Sequence, residues 1–223
     1  MCIRDSQNTD LPHMLPTKEK WEEIVSSMGI SNTDRIVIYD NSDVLSSCRG
    51  WYNFIYFGHD KHLVSVLDGG LKKWLIENRK TTSEKTILNK STYRATENKN
   101  LVKSIFEINE NIEKKNFTVI DARSKERFNG SVPDPRKNVR SGSIPNSVCL
   151  PFKEIINSSD NTFKSVSEIS KKFSEIIDLN DDKRVFSCGS GITACVLGLA
   201  YSLVNNTYSP TVYDGSWAEY GRI

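Results

Sequence analysis

The chain has 223 residues, 37% of them hydrophobic and 26% charged, with a formal net charge of +2. That balance suits a globular protein and gives no bulk electrostatic reason to expect a nucleic-acid or membrane partner. No apolar run approaches the ~20 residues of a membrane span. The five cysteines, at 2, 48, 149, 188 and 195, show neither disulfide-like nor zinc-like spacing, so reduced thiols and no metal site are expected.

Residues 1–6, Met-Cys-Ile-Arg-Asp-Ser, read as the translation of a sequencing adapter and are set aside from fold reasoning. With the abrupt stop at Ile223, both ends read as those of a fragment, truncated at its N-terminus. Asp34 to Asp40 is a strand pattern, followed by a helical stretch at Trp51–Phe57. His59 and His62 then fall in a short loop and are expected at the surface. Val64 to Gly70 forms a second strand and a glycine turn, after which Trp74 is expected to cover the sheet. Arg79–Asn100 is poor in apolar residues and reads as a linker. The chain therefore divides into an incomplete first half at 7–80, a linker at 81–100 and a second half at 101–223.

The second half opens with an expected helix at Val102–Lys114, carrying Ile105, Phe106, Ile108 and Ile112. Strands are expected at Phe117–Asp121 and Ser147–Leu150. Ser165 and Glu168 have capping-box spacing ahead of an apolar stripe of Ile169, Phe173, Ile176 and Ile177. Strand residues 182–188 repeat residues 34–40 at an offset of 148, and Pro210 to Ser216 repeat Val64 to Gly70 at 146. Two segments at nearly one offset indicate duplication. Strands alternating with helices predict an α/β fold, each half a mostly parallel sheet flanked by helices.

Cys188 sits between the strand and an apolar helix at Ile192–Leu203, in the run Cys-Gly-Ser-Gly-Ile-Thr-Ala-Cys. A sulfur anion there meets backbone N–H groups and the positive end of a helix dipole, which favours the nucleophilic thiolate. Gly189 and Gly191 leave the backbone close enough to cradle it, with Ile192 and Thr193 completing the loop. A buried structural thiol is the bland alternative. A Cys-dependent phosphatase would need an Arg at the sixth place after the Cys, where Ala194 stands. Cys195, two helical turns on, reads as core. In the first half Asp40 occupies the place of Cys188, so that half is expected to be catalytically silent.

The loop resembles the Cys-x-x-Gly-x-Thr cradle of the rhodanese superfamily, and its neutral Gly189-Ser190 pair resembles the mercaptopyruvate-using branch rather than the thiosulfate-using one. The resemblance extends to Arg127-Phe128-Asn129-Gly130, to Pro133-Asp134-Pro135-Arg136 and to Gly142-Ser143-Ile144-Pro145-Asn146, which departs from the usual pattern at Ser143 and Asn146. It implies two rhodanese-like domains and sulfur transfer from 3-mercaptopyruvate through a Cys188 persulfide. The acceptor would be a thiol, thioredoxin or a small one, or cyanide, with no metal or organic cofactor. It implies that Arg127 and Arg136 bind the keto acid, as guanidinium forks suit a planar anion. It also implies that His13, in Pro12-His13-Met14-Leu15-Pro16, faces Cys188 and works with Ser190. The Asp that orients this His would lie about eleven residues upstream, and neither Asp5 nor Asp10 is a candidate. The location implied is cytoplasmic or mitochondrial. The alternatives are thiosulfate:cyanide transfer on the same fold and a non-catalytic sulfur-carrier or binding module.

Overall fold

The computed structural model of the chain describes residues 10–180 and 183–223. The adapter-like segment and the stretch upstream of His13 that would hold its Asp lie outside the described residues, as do Asp181 and Asp182.

The first half starts with helix α1 (Lys18–Ser27), which the sequence reading does not anticipate. Its signal is short: Thr17 caps the Lys20 N–H, and Trp21 and Val25, one turn apart, are its buried residues. Strand β1 (Ile36–Ile38) leads to α2 (Ser47–Tyr56), and β2 (Val64–Val66) leads to α3 (Gly70–Ile76). β1 and β2 pair in parallel with Ile36 opposite Val64. Helix α2 begins four residues before its apolar pattern because the Asp40 carboxylate, at the end of β1, accepts the Ser47 N–H and the Ser46 hydroxyl. The anion position of this half is thus filled by the chain's own carboxylate.

The linker expectation needs correction. Residues 79–98 contain no helix or strand, but 91–98 are pinned to the first half. The Ser91, Thr96 and Asn98 amides donate to the carbonyls of Ser26, Phe57 and Tyr56, and Tyr93 and Ala95 are buried. His59 is corrected with it. It is 4% exposed, stacks on Tyr93 and bonds the Tyr93 hydroxyl and the Asp34 carbonyl. His62 is exposed as expected. Trp74 does not cover the sheet. It is half-buried, its indole N–H donates to the Lys80 carbonyl, and Arg79 lies over its ring.

The second half holds a five-stranded sheet in the order β3-β7-β6-β4-β5, every pair parallel. Its strands are β3 (Val102–Lys103), β4 (Thr118–Asp121), β5 (Val148–Cys149), β6 (Arg184–Ser187) and β7 (Val212–Tyr213). The expected helix at 102–114 is shorter, α4 (Ile105–Lys114), because a Ser104–Glu107 capping box starts it after β3. Phe106 lies off its apolar stripe and is exposed. The Ser165–Glu168 capping box forms at the start of α6 (Val166–Ser174), while Ile176 and Ile177 pack on the core beyond that helix's end.

β6 is central and buried along its whole length, and its register puts Ser187 opposite Asp121. Residues following β4 and β6 therefore meet at one edge of the sheet, the carboxyl edge where ligands of parallel sheets bind. Helix α7 (Ile192–Val204) follows Cys188 and packs against α2 of the first half. One buried cluster spans both halves, from Trp21 and Tyr52 to Phe186 and Leu197. Cys195, fully buried in α7, belongs to it.

Candidate active site

Cys188 directly follows β6, and its surroundings are built by backbone from both directions. The Trp217 and Ala218 amides, in the helix α8 (Ser216–Tyr220), donate to the carbonyls of Cys188 and Gly189 at 3.0 and 2.9 Å. The Ser190 N–H points at the Cys188 sulfur at 3.4 Å. The expected half-ring of donors needs one correction. The Gly191 N–H, with the Cys188 N–H, is bound by the Ser216 hydroxyl at 3.1 and 3.2 Å, so Gly191 does not face the sulfur. Its contribution is conformational. It sits at φ 78°, and a Cβ there would lie 3.0 Å from both an Arg49 guanidinium nitrogen and the Asp214 carbonyl. Gly189, Ile192 and Thr193 line the cleft beside Cys188.

The two arginines meet over this loop. Arg127 lies on the short helix α5 (Lys125–Phe128) after β4, capped by Ser124. Arg136 follows nine residues later, beyond two prolines. Asp134 gathers both: its carboxylate takes Arg127 at 2.7 Å, Arg136 at 3.3 Å and the Arg136 N–H at 3.0 Å. Burial resists ionisation of Asp134, but these bonds outweigh it and hold its pKa below the usual range. A Cβ added to Gly189 would lie 3.0 Å from an Arg136 nitrogen and 3.3 Å from an Arg127 nitrogen. The glycine is therefore what lets two cations approach the cysteine loop.

The third element is His13, whose Nδ1 lies 2.9 Å from the Ser190 hydroxyl. It is held in place from across the molecule. Arg49 on α2 donates to the His13 carbonyl at 2.9 Å and forms a buried 2.6 Å ion pair with Asp214, which in turn accepts the Leu15 N–H at 2.7 Å. Burial works against charge on Arg49, but Asp214 beside it raises its pKa above the ordinary value. Asp10 points elsewhere, pairing with Arg222 at 2.7 Å.

These parts enclose a cleft of about 720 Å³ between the halves, with His13, Arg127, Arg136, Cys188 and Ser190 in its walls. The other described thiols are unsuited to chemistry: burial pushes Cys149 and Cys195 up to about 12 and holds Cys48 well above the ordinary thiol value. Among the described residues no His, Cys, Asp and Glu group could hold a metal ion, and no helix is long and apolar enough to cross a membrane.

A profile of the Rhodanese-like domain matches residues 1–77 and 105–222, most of the chain in two ranges. The chain belongs to the rhodanese family. Its two rhodanese-like domains share 38% identity with thiosulfate/3-mercaptopyruvate sulfurtransferase 1, mitochondrial, of Arabidopsis thaliana, over 96% of this chain and 61% of that protein. They share 39% with the 3-mercaptopyruvate sulfurtransferase of Homo sapiens, over 93% of this chain and 69% of that protein. The fold superposes on SseA from Escherichia coli, described as a 3-mercaptopyruvate sulfotransferase, with a TM-score of 0.81 and 28% identity, covering 96% of this chain and 79% of SseA. This chain thus spans about three fifths of the Arabidopsis relative.

Within this rhodanese pair, sequence reasoning brought Cys188, Ser190, His13, Arg127 and Arg136 into one site and overlooked four residues that build it. Asp134, Asp214 and Ser216 lay inside segments already noticed, without a role assigned to them. Arg49 carried no local signal, since it makes sense only through Asp214, 165 residues away.

Proposed function

We propose that this rhodanese-family chain moves sulfur from 3-mercaptopyruvate through a Cys188 persulfide to a thiol acceptor or cyanide, releasing pyruvate. The observation that carries the reading is the convergence of Arg127 and Arg136 on Gly189, beside an uncharged cysteine loop. Two guanidinium forks hold the carboxylate and carbonyl of a planar keto acid. They leave its sulfur next to Cys188.

The Cys188 thiolate attacks the substrate sulfur, forming a sulfur–sulfur bond. The carbon–sulfur bond breaks with its electron pair going to the carbon, so the leaving group is the enolate of pyruvate. The cationic arginines stabilise that charge. A proton delivered through Ser190, relayed by His13, converts the enolate to pyruvate. An acceptor thiol or cyanide then removes the outer sulfur and restores the thiolate, giving ping-pong kinetics. The roles belong to a catalytic half at 101–223, joined by residues 81–100, of which 91–98 pack on the first half, to a half at 7–80 that has no nucleophile of its own and contributes His13 and the opposite wall. A reducing compartment, cytosol or mitochondrion, suits the four free cysteines among the described residues.

Thiosulfate transfer is the second reading, favoured by the dual name of the Arabidopsis relative. Pyruvate release from 3-mercaptopyruvate with excess dithiol, run beside thiocyanate formation from thiosulfate and cyanide, separates the two. The expected result is a strong preference for mercaptopyruvate, abolished by Cys188→Ser. Arg127→Ala should lose roughly 10- to 100-fold with mercaptopyruvate, the value of a charge-assisted contact, and much less with thiosulfate. Equal losses on both donors overturn the carboxylate clamp, and silence on both points to a carrier role.

A further inference from the structure

The cleft is far larger than a three-carbon keto acid needs. Its volume of about 720 Å³ compares with about 30 Å³ for each water that a small ligand displaces. Its two walls also differ in chemistry. The cations Arg127 and Arg136 stand with Cys188 on the second-half side. The opposite wall comes from the loop at 39–46, Tyr-Asp-Asn-Ser-Asp-Val-Leu-Ser, which has no Lys or Arg, and from the start of α2, where Arg49 is held in its buried ion pair with Asp214. Tyr39 and Val44 there are 61% and 44% exposed, large side chains left uncovered, with Asn41 and Ser42 between them. Asp40 adds a negative charge to the same wall, fixed by Ser46 and Ser47.

A second observation points into this wall from below. Asn53 on α2 lines the cleft and is 1% exposed, yet among the described residues neither its amide nitrogen nor its oxygen has a hydrogen-bond partner. A buried amide left unsatisfied is costly, and native structures keep one where something else completes it.

We infer that this first-half wall is the subsite for the sulfur acceptor, and that it takes a small uncharged thiol carrying hydroxyl or amide groups. The inference rests on the persulfide reading above. The thiol's apolar stem lies against Tyr39 and Val44, its polar groups meet Asn41, Ser42 and Asn53, and Asp40 disfavours anions. The acceptor thiolate attacks the outer sulfur of the Cys188 persulfide. A new sulfur–sulfur bond forms on the acceptor, the old one breaks with its electron pair returning to Cys188, and the thiol proton passes to the cleft. No further oxidant or reductant is consumed.

Ping-pong kinetics isolate the two half-reactions, since kcat/KM for each substrate reports its own half alone. The test compares the chain with its Tyr39→Ala and Asn53→Leu variants, using 3-mercaptopyruvate as donor and 2-mercaptoethanol or 3-mercaptopropionate as acceptor. Asn53→Leu keeps the volume and removes the unpaired amide, so folding is preserved. We expect kcat/KM for 2-mercaptoethanol to fall about tenfold in each variant, the loss of one contact, with kcat/KM for mercaptopyruvate within about twofold. The anionic 3-mercaptopropionate should be the poorer acceptor for the unaltered chain, and Asp40→Asn should narrow that gap. Unchanged acceptor values, or equal falls in both half-reactions, overturn the subsite. A stoichiometric pyruvate burst without acceptor shows the persulfide reading intact in either case, and absence of the burst removes that reading and this inference together.

Discussion

Arg49 and Asp214 form a 2.6 Å ion pair, both side chains about 95% buried, and the pair joins the two halves of the chain at the point where His13 is held. Arg49 bonds the His13 carbonyl and Asp214 bonds the Leu15 amide, so one pair sets the segment's position on both sides of Met14. The first half therefore sets the position of His13 against the cysteine loop, because it carries Arg49.

Removing one member of such a pair strands the other. Arg49→Leu should cost roughly 3–5 kcal/mol of stability, read as a lower urea midpoint. The double variant Arg49→Leu with Asp214→Leu should recover much of that loss without recovering activity, because His13 stays untethered. A double variant as unstable as the single would show that packing, not the charge pair, dominates.

Gly189→Ala tests the approach of the arginines. Its Cβ would stand 3.0 Å from Arg136 and 3.3 Å from Arg127, both long enough to move aside. The expected outcome is a KM for mercaptopyruvate raised about tenfold, with a thermal midpoint little changed. A large fall in the midpoint would mean the glycine serves the fold instead.

His13→Gln keeps a hydrogen-bonding side chain near Ser190 but cannot carry a proton. The rate of pyruvate formation in a single turnover should fall roughly 100-fold, the usual range for a lost general acid or base, while donor affinity holds. Ser190→Ala should give a similar loss, and the pair together little more, since both lie on one proton path. Additive losses would place them in separate steps.

Asp134 predicts a pH limit. Its folded pKa is depressed, so the stability it provides is complete above the unfolded value of about 3.9 and is lost as the pH falls through the folded value below that. Urea midpoints measured from pH 7 down to pH 3 should thus show the native chain keeping the Arg127–Asp134–Arg136 tie until the acid end. Asp134→Asn should be weaker at neutral pH and should converge with the native chain as acid protonates the carboxylate. A constant gap across the range would rule out the carboxylate's charge as the cause.

Several features were fixed locally and could be read directly. The Cys-Gly-Ser-Gly turn between an apolar strand and an apolar helix, the Ser165–Glu168 cap and the repeated strand-turn units depend on residues within a few places of one another. Backbone sterics and hydrogen bonding set them before any tertiary contact forms. The pairing of His13 with Ser190, 177 residues away, came from a motif and not from local physics.

The tertiary structure decided the rest. Burial of His59 and Tyr93 turned half of an apparent linker into part of the first half's core, since a polar stretch with two apolar anchors packs when a ring surface waits for it. The Ser216 hydroxyl took the Gly191 N–H away from the sulfur, a competition no spacing rule shows. Arg49 and Asp214 look like ordinary charged residues in sequence, and only burial makes their pairing obligatory, because an unpaired charge cannot remain in a dry interior. The chain alone pointed to Cys188 as the candidate nucleophile and to Arg127 and Arg136 as the candidate cations beside it. Long-range burial of charge determined where the histidine stands and what forms the far wall of the cleft.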